Sequence, residues 1–174
     1  MPEESRETWI TWVALTTTIL AVLAAIASLR AASYSTKVQL ATTREANQWG
    51  YYQAKSIKEH SYALNRDILA AVRLQETKNP KAHKFLADKI KEYEGEVARY
   101  DKEKAEIKKG AEDIQKEQEV YKHKNGNFAL AVMLLQMAIM CSAVGALIKK
   151  KIMWLLGLLL GGWGIYYFVL GFFR

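Results

Sequence analysis

The chain has 174 residues, with 25 basic and 18 acidic side chains and a net charge of +7. Basic and acidic residues alternate along the charged stretches 89–96 and 101–109, so no single-sign surface suited to nucleic acid forms, and we expect no nucleic-acid partner. The single cysteine, Cys141, excludes an intramolecular disulfide.

The N-terminal part predicts a membrane anchor. Residues 1–8 form a short acidic tail, and the uncharged apolar run 9–29 matches the roughly 20 helical residues that cross the hydrocarbon core of a bilayer. The run follows acids rather than a basic segment and is longer than the apolar part of a secretory signal. We interpret it as transmembrane helix 1, with cleavage after Ala27-Ser28-Leu29 as the alternative.

The charged middle of the chain, 30–126, is predicted to be an extramembrane helical hairpin with its turn near 77–80. Asn79 is a favoured N-cap residue, and Pro80 is pre-set for the first position of the second helix. The two arms have similar lengths, so the chain returns to the membrane where it left. Asn125-Gly126-Asn127 is typical of a helix stop followed by a new cap, which predicts a flexible joint before the next span.

The second arm has a heptad pattern, which is typical of a coiled-coil seam. Lys104 and Gln118 interrupt it; polar residues there either fix the register or lie where the seam opens to water. The seam comprises Leu86, Tyr93, Tyr100, Ile107, Ile114 and Tyr121, interleaved with Ile90, Val97, Lys104, Ala111 and Gln118.

The first arm offers two further features. A looser apolar stripe is formed by Ile57, Leu64, Ile68 and Val72. We expect this stripe to face the second arm. Trp49 lies about 30 Å beyond the first span on a continuous helix, too far for the headgroup belt, so it should pack against protein. Trp49 and Tyr52 contact either the other arm or a neighbouring subunit, or they anchor an unidentified soluble protein.

The C-terminal part predicts two antiparallel spans, 127–148 and 152–173, joined by the basic turn 149–151. The fold class is therefore an all-α membrane protein with three transmembrane helices and a long antiparallel, coiled-coil-like hairpin between the first and second. The acidic tail and the bases after the first span favour a cytoplasmic hairpin, whereas the triple lysine favours the opposite orientation. We choose the cytoplasmic hairpin because a short acidic tail crosses readily.

Small residues recur at four-residue spacing in all three spans, which lets helix backbones approach within one subunit or between subunits. Gln136 is the strongly polar side chain in the spans and is expected to make an interhelical hydrogen bond. The candidate helix-packing residues are Ala21, Ala25, Gln136, Ala138, Ser142, Ala146, Gly157 and Gly161.

The sequence gives no sign of enzyme chemistry. The spans contain no Asp, Glu, Lys, Arg or His, and the three histidines are scattered without a second ligand at metal spacing. We therefore predict no catalytic, cofactor-binding or metal site. A two-helix hairpin has too little interior to bury two apolar stripes, which predicts a homo-oligomer in the lipid bilayer.

The leading hypothesis is a self-associating scaffold or assembly protein without enzymatic activity. An oligomeric channel is the first alternative, because Thr16-Thr17-Thr18 either line a narrow pore or bond to carbonyl groups one turn earlier. A membrane adaptor that docks a soluble partner through the hairpin is the second.

Several segments of the chain resemble the corresponding segments of a known protein family. They are Leu20 to Lys37, Leu40-Ala41-Thr42, Asn47-Gln48-Trp49, the run Tyr51 to Lys58, and the late pair of spans. In these the chain resembles a bacterial membrane protein family known only as a domain of unknown function, family 4337, most specifically over residues 16–68. The resemblance implies a multi-pass protein of the bacterial inner membrane. It supplies no activity and no site residues.

Overall fold

The computed structural model describes residues 4–75 and 79–173, with side chains from Thr8 onward. It contains α1 (Glu4–Gln75), α2 (Pro80–Leu147) and α3 (Lys151–Phe173). Each helix includes a stretch long and apolar enough to cross a membrane, which indicates membrane association. The predicted all-α fold, with a helical hairpin between the first and second apolar stretches, is confirmed.

The start of α2 follows from its first residues. Residues 76–78 of the turn region lie outside the described residues, but Asn79 caps the helix as its side chain predicts. The backbone amides of Lys81 and Ala82 donate hydrogen bonds to Asn79 Oδ1 at 3.1 and 3.3 Å. Two amides that lack a partner within the helix are thereby satisfied.

The predicted stop at Asn125-Gly126-Asn127 is wrong, because α2 runs through it without a break. Gly126 does not take a positive φ angle. A glycine inside a helix costs only about 1 kcal/mol relative to alanine. Phe128, directly after this segment, is fully buried and clusters with Ala27 and Ala131. Tertiary packing of this kind outweighs the local preference for a stop.

A tight turn joins α2 to α3. Lys149 has a φ of 55°, in the left-handed region. The amide of Lys150 donates to the carbonyl of Gly145 at 3.1 Å, and the amide of Lys149 donates to the carbonyl of Ala146 at 3.3 Å. This pair of bonds is a Schellman motif, which satisfies the last carbonyl groups of a helix.

The helices pack into two units. The first unit combines the described residues up to Leu40 with those from Gln118 onward, and the second is Ala41–Glu117. In the first unit, one core cluster consists of Leu20, Ala24, Leu135 and Ala138. A second cluster, around Phe128, has Tyr34, Tyr167 and Phe168 packed against it. The second unit is the paired part of α1 and α2.

Candidate functional site

The heptad seam of α2 in the second unit lies against α1 of the same chain. Tyr62 of α1 packs between Tyr93 and Tyr100, with ring centroids 5.4 and 5.7 Å away. Tyr100 and Ala111 are buried, at 6% and 1% exposure. The other seam residues of this unit are partly buried: Leu86, Ile90, Tyr93, Val97, Lys104, Ile107 and Ile114. The seam is therefore largely occupied within one chain.

Two ion pairs cross between α1 and α2. Lys55 Nζ lies 2.6 Å from Glu103 Oε2, and Lys104 Nζ pairs with Glu59. The Lys104 side chain is only 14% exposed, so it is paired across the seam rather than open to water. The two pairs have opposite polarity, because α1 supplies the base in one and the acid in the other.

Aromatic rings surround both lysines. Lys55 Nζ lies 5.2 and 5.3 Å from the ring centroids of Tyr51 and Tyr100, and Lys104 Nζ lies 5.8 Å from that of Tyr52. These are cation–π distances. The rings and the alkyl stems of the lysines together cover the contact between the helices.

The ion pairs also shift the titration of their members. The hydrogen bond from Lys55 lowers the pKa of Glu103, and the same bond raises the pKa of Lys55. The hydrogen bond to Glu59 raises the pKa of Lys104. In each case the bond favours the charged form of the group.

Sequence reasoning missed Lys55, Glu59 and Glu103 because it looked for apolar residues at the contact. A usable signal was present. Lys55 and Glu59 have opposite charges at four-residue spacing on one arm, and Glu103 and Lys104 are adjacent on the other. In an antiparallel pair, that arrangement permits two complementary contacts.

Trp49 and Tyr52 separate into different environments. Their rings meet edge to face at 5.7 Å, so Trp49 packs on its own helix and remains 37% exposed. Tyr52 is partly buried and lies beside Lys104. A shallow groove of about 390 Å³ lies nearby and is lined by Arg44, Asn47, Gln48, Tyr51 and Ile114.

The apolar stripe of α1 does not face α2, so that prediction is wrong. Tyr52, Lys55, Glu59 and Tyr62 occupy the face toward α2. At 100° per residue the stripe falls on the opposite side of the helix. We call it the outer stripe: Ile57, Leu64, Ile68 and Val72 are 68%, 62%, 50% and 44% exposed.

In the first unit, four of the candidate packing residues come together. A Cβ at Gly161 would lie 3.1 Å from Leu20 Cδ2 and 3.6 Å from Ala138 Cβ. Ser142 is fully buried, and its hydroxyl fills the space beside Gly157. Ala146 is partly buried. The glycines of α3 thus allow side chains of α1 and α2 to lie against its backbone.

Three other candidates lie on exposed faces of the first unit: Ala21, Ala25 and Gln136. The first apolar stretch buries Leu20 and Ala24 instead. The role of the three exposed residues between subunits stays a prediction. Tyr121, the last seam residue, is partly buried with its ring centroid 6.2 Å from that of Tyr34.

The threonine run is engaged within its own helix. Thr16 Oγ1 donates to the carbonyl of Trp12 at 2.9 Å, Thr17 Oγ1 to that of Val13 at 2.8 Å, and Thr18 Oγ1 to that of Ala14 at 2.8 Å. Thr16 Oγ1 also accepts a hydrogen bond from Trp154 Nε1 at 3.2 Å. Each of these hydroxyl groups therefore bonds to a carbonyl group one turn earlier in α1, as such hydroxyl groups commonly do in helices.

Comparison with known proteins places the chain in a family. Residues 9–174 match a family model described as Domain of unknown function (DUF4337). The chain belongs to this family. The DUF4337 match covers all three helices almost completely, well beyond the segment in which the resemblance is most specific. Searches of curated proteins and of solved structures gave no match.

Two surface features of this DUF4337 chain remain beside the helix contacts. Within residues 4–75 and 79–173, no group of three or more His, Cys, Asp or Glu side chains could hold a metal ion. The outer stripe offers an apolar surface, and the groove beside Tyr51 combines polar side chains such as Arg44 with the apolar Ile114. Such surfaces suit binding of another protein.

Proposed function

We propose that this DUF4337 protein is a non-enzymatic, multi-pass protein of the bacterial inner membrane that associates with copies of itself as a scaffold or assembly element. Its hairpin lies in the cytoplasm in this proposal. The exposed outer stripe of α1 is the observation that supports self-association. The stripe replaces the heptad seam as the reason for self-association, because α1 of the same chain lies against that seam.

The energetic argument concerns four large apolar side chains. Burying one such side chain contributes about 1.5–3 kcal/mol, so covering the outer stripe stabilises a contact by several kcal/mol before ordering costs. Ile57 and Leu64 are seven residues apart, and Ile68 and Val72 continue at four-residue steps. That spacing places them along one seam suited to a second helix.

A second copy is the natural occupant of this seam. Copies inserted in one bilayer with the same topology run their first helices in the same direction. Identical stripes can then meet in parallel and in register, and confinement to the bilayer raises their effective concentration. The exposed Ala21 and Ala25 offer a close-approach surface between spans in the same assembly.

The test is the mass of the purified full chain in mild detergent, by native mass spectrometry and by light scattering. We expect the wild type to be larger than one chain, and Leu64→Gln with Ile68→Gln to shift the mass toward one chain. Leu74→Gln with Phe85→Gln is the matched control, because these residues are 82% and 62% exposed and lie off the stripe. A wild type with the mass of one chain would contradict the proposal.

A second candidate function is an adaptor for a soluble protein, supported by the groove beside Tyr51 and by the exposed ring of Trp49. Aromatic and arginine side chains are typical anchors of protein interfaces. We expect Trp49→Ala with Arg44→Ala to lose a partner that the wild type captures by cross-linking in cells. Unchanged cross-linked partners would discard this function and leave self-association untouched.

A further inference from the structure

One end of the first unit is strongly basic. It carries Arg30, Lys37, Lys122 and Lys124, whereas Glu119 is the only acidic side chain that the structure describes in the unit. These bases lie next to the positions where α1 and α2 change from charged to apolar sequence.

Arg30 and Lys124 are held at the C-terminal end of α3. The Arg30 guanidinium lies 5.4 Å from the ring centroid of Phe172, and Lys124 Nζ lies 3.5 Å from the Phe172 carbonyl oxygen. Cations are favoured at the C-terminus of a helix because its last carbonyl groups carry partial negative charge. The contacts orient the two bases without neutralising either charge.

Lys37 and Lys122 are also held by uncharged groups. Lys37 Nζ lies 5.1 and 5.5 Å from the ring centroids of Tyr34 and Tyr121. Lys122 Nζ donates to Gln118 Oε1 at 2.9 Å. All four cations of this end are thus held by uncharged groups, namely aromatic rings, an amide or a carbonyl. Because these groups do not compensate the positive charges, this end has a net positive field that attracts an external anion.

A groove opens beside these bases on α2. Its volume is about 370 Å³, and it is lined by Lys122, His123, Gly126, Asn127 and Leu130. A Cβ at Gly126 would find no atom within 4 Å, so a larger side chain at this position has room to extend into the groove. The lining changes from cationic and hydrogen-bonding at Lys122 to apolar at Leu130.

The apolar track continues along the same face of the helix. Leu130, Met133 and Met137 follow at steps of three and four residues and are 43%, 58% and 44% exposed. Steps of that size keep side chains on one side of a helix. The groove is positively charged and can donate hydrogen bonds, and an exposed apolar track follows it. This order matches an amphiphile with an anionic head and a hydrocarbon tail.

We propose that this groove binds an anionic phospholipid. The Lys122 ammonium group pairs with the phosphate, and Asn127 Nδ2 and the His123 ring donate hydrogen bonds to headgroup oxygens. An acyl chain lies along Leu130 and Met133. The inference rests on the part of the proposed function in which α2 crosses the bilayer, and it does not depend on self-association.

Native mass spectrometry of the full chain, released from detergent with dioleoyl phosphatidylglycerol or dioleoyl phosphatidylcholine, tests the proposal. We expect the wild type to retain phosphatidylglycerol preferentially. Lys122→Gln should lower that preference about fivefold, the effect of one lysine near an anionic surface. Lys150→Gln removes the same charge from the turn between α2 and α3, and it should leave the preference unchanged.

Gly126→Leu distinguishes binding in the groove from nonspecific attraction of the lipid by the basic residues, because it fills the groove and keeps every lysine. We expect it to lose the retained lipid, whereas Gly162→Leu, at another glycine with open space around it, should retain it. Equal retention of both lipids by the wild type, or full preference in Gly126→Leu, would overturn the proposal. The same spectra report the number of chains separately, so failure of lipid binding is distinguishable from failure of self-association.

Discussion

Gly164 of α3 lies directly against Leu135 of α2: a Cβ added to the glycine would be 2.9 Å from Leu135 Cγ. Gly171 has the same relationship with Phe128, where an added Cβ would be 2.9 Å from Cε2 of the ring. Both partners on α2 are fully buried. The contact between these apolar helices therefore depends on the absence of side chains at particular positions of α3.

The first prediction concerns that contact. Gly164→Ala should destabilise the first unit by about 1–3 kcal/mol, because the added methyl group overpacks a filled site. The thermal midpoint of the detergent-solubilised protein, followed by tryptophan fluorescence, measures the effect. Gly162→Ala is the matched control on the same helix, since nothing lies within 4 Å of its added Cβ. Equal midpoints for the two variants would contradict the predicted packing.

The second prediction concerns the pair between Lys104 and Glu59. Lys104→Glu and Glu59→Lys should each destabilise the hairpin, and the double exchange should recover part of the loss, because it restores opposite charges. We expect a coupling free energy of about 1 kcal/mol from a double-mutant cycle of thermal unfolding. Additive effects of the two changes would show that the side chains do not interact.

The third prediction is a pH dependence that arises from Glu103. Its pKa is lowered from the ordinary value of 4.5, so its contribution to stability is present above pH 4.5 and is lost as the pH falls through the lowered value. The contribution of Lys55 changes in the opposite direction. Its pKa is raised above 10.5, so its stabilisation is complete below pH 10.5 and is lost only as the pH rises through the raised value.

Helicity and thermal midpoint measured between pH 7 and pH 3 test this third prediction. The wild type should lose stability toward the acidic end, and Glu103→Gln should be less stable at pH 7 with a flatter acid response. Glu106→Gln is an exposed control on the same helix and should keep the slope of the wild type. An identical slope in Glu103→Gln would refute the assignment.

The fourth prediction concerns Lys149 in the turn between α2 and α3. A residue with a side chain costs roughly 1 kcal/mol or more in the left-handed region, whereas glycine occupies it freely. Lys149→Gly should therefore stabilise the first unit by about 1 kcal/mol and raise the thermal midpoint. Lys150→Gly removes the same charge without relieving a positive φ, and it should not raise the midpoint.

Much of the fold was predictable because the strongest signals were long and periodic. The three apolar runs lie within α1, α2 and α3 except for Ile148, which follows the end of α2, and the heptad seam of α2 in the second unit does lie against α1. The direction of the outer stripe was not predictable by the same reasoning. Because apolar side chains usually fill the contact between two helices, the sequence predicts that Ile57 and Leu64 face α2, whereas both are exposed.

The actual contact on α1 uses Tyr52, Lys55, Glu59 and Tyr62. Long polar side chains cover apolar surface with their stems while their charged ends pair, so a polar face can be the buried one. The stop expected at Gly126 failed for a related reason. Local preferences of about 1 kcal/mol do not override the packing of a residue such as Phe128.

Four glycines lie on one side of α3, and the two sides of this helix therefore differ in their tolerance to mutation. Gly157, Gly161, Gly164 and Gly171 admit no added atom without displacement of a neighbour. The opposite side carries bulky groups such as Leu159 and Trp163, which are 66% and 58% exposed and can be exchanged among apolar types at little cost. Among members of the DUF4337 family, substitutions in this helix should therefore accumulate on the side that carries Leu159 and Trp163. The side that carries the four glycines should remain invariant.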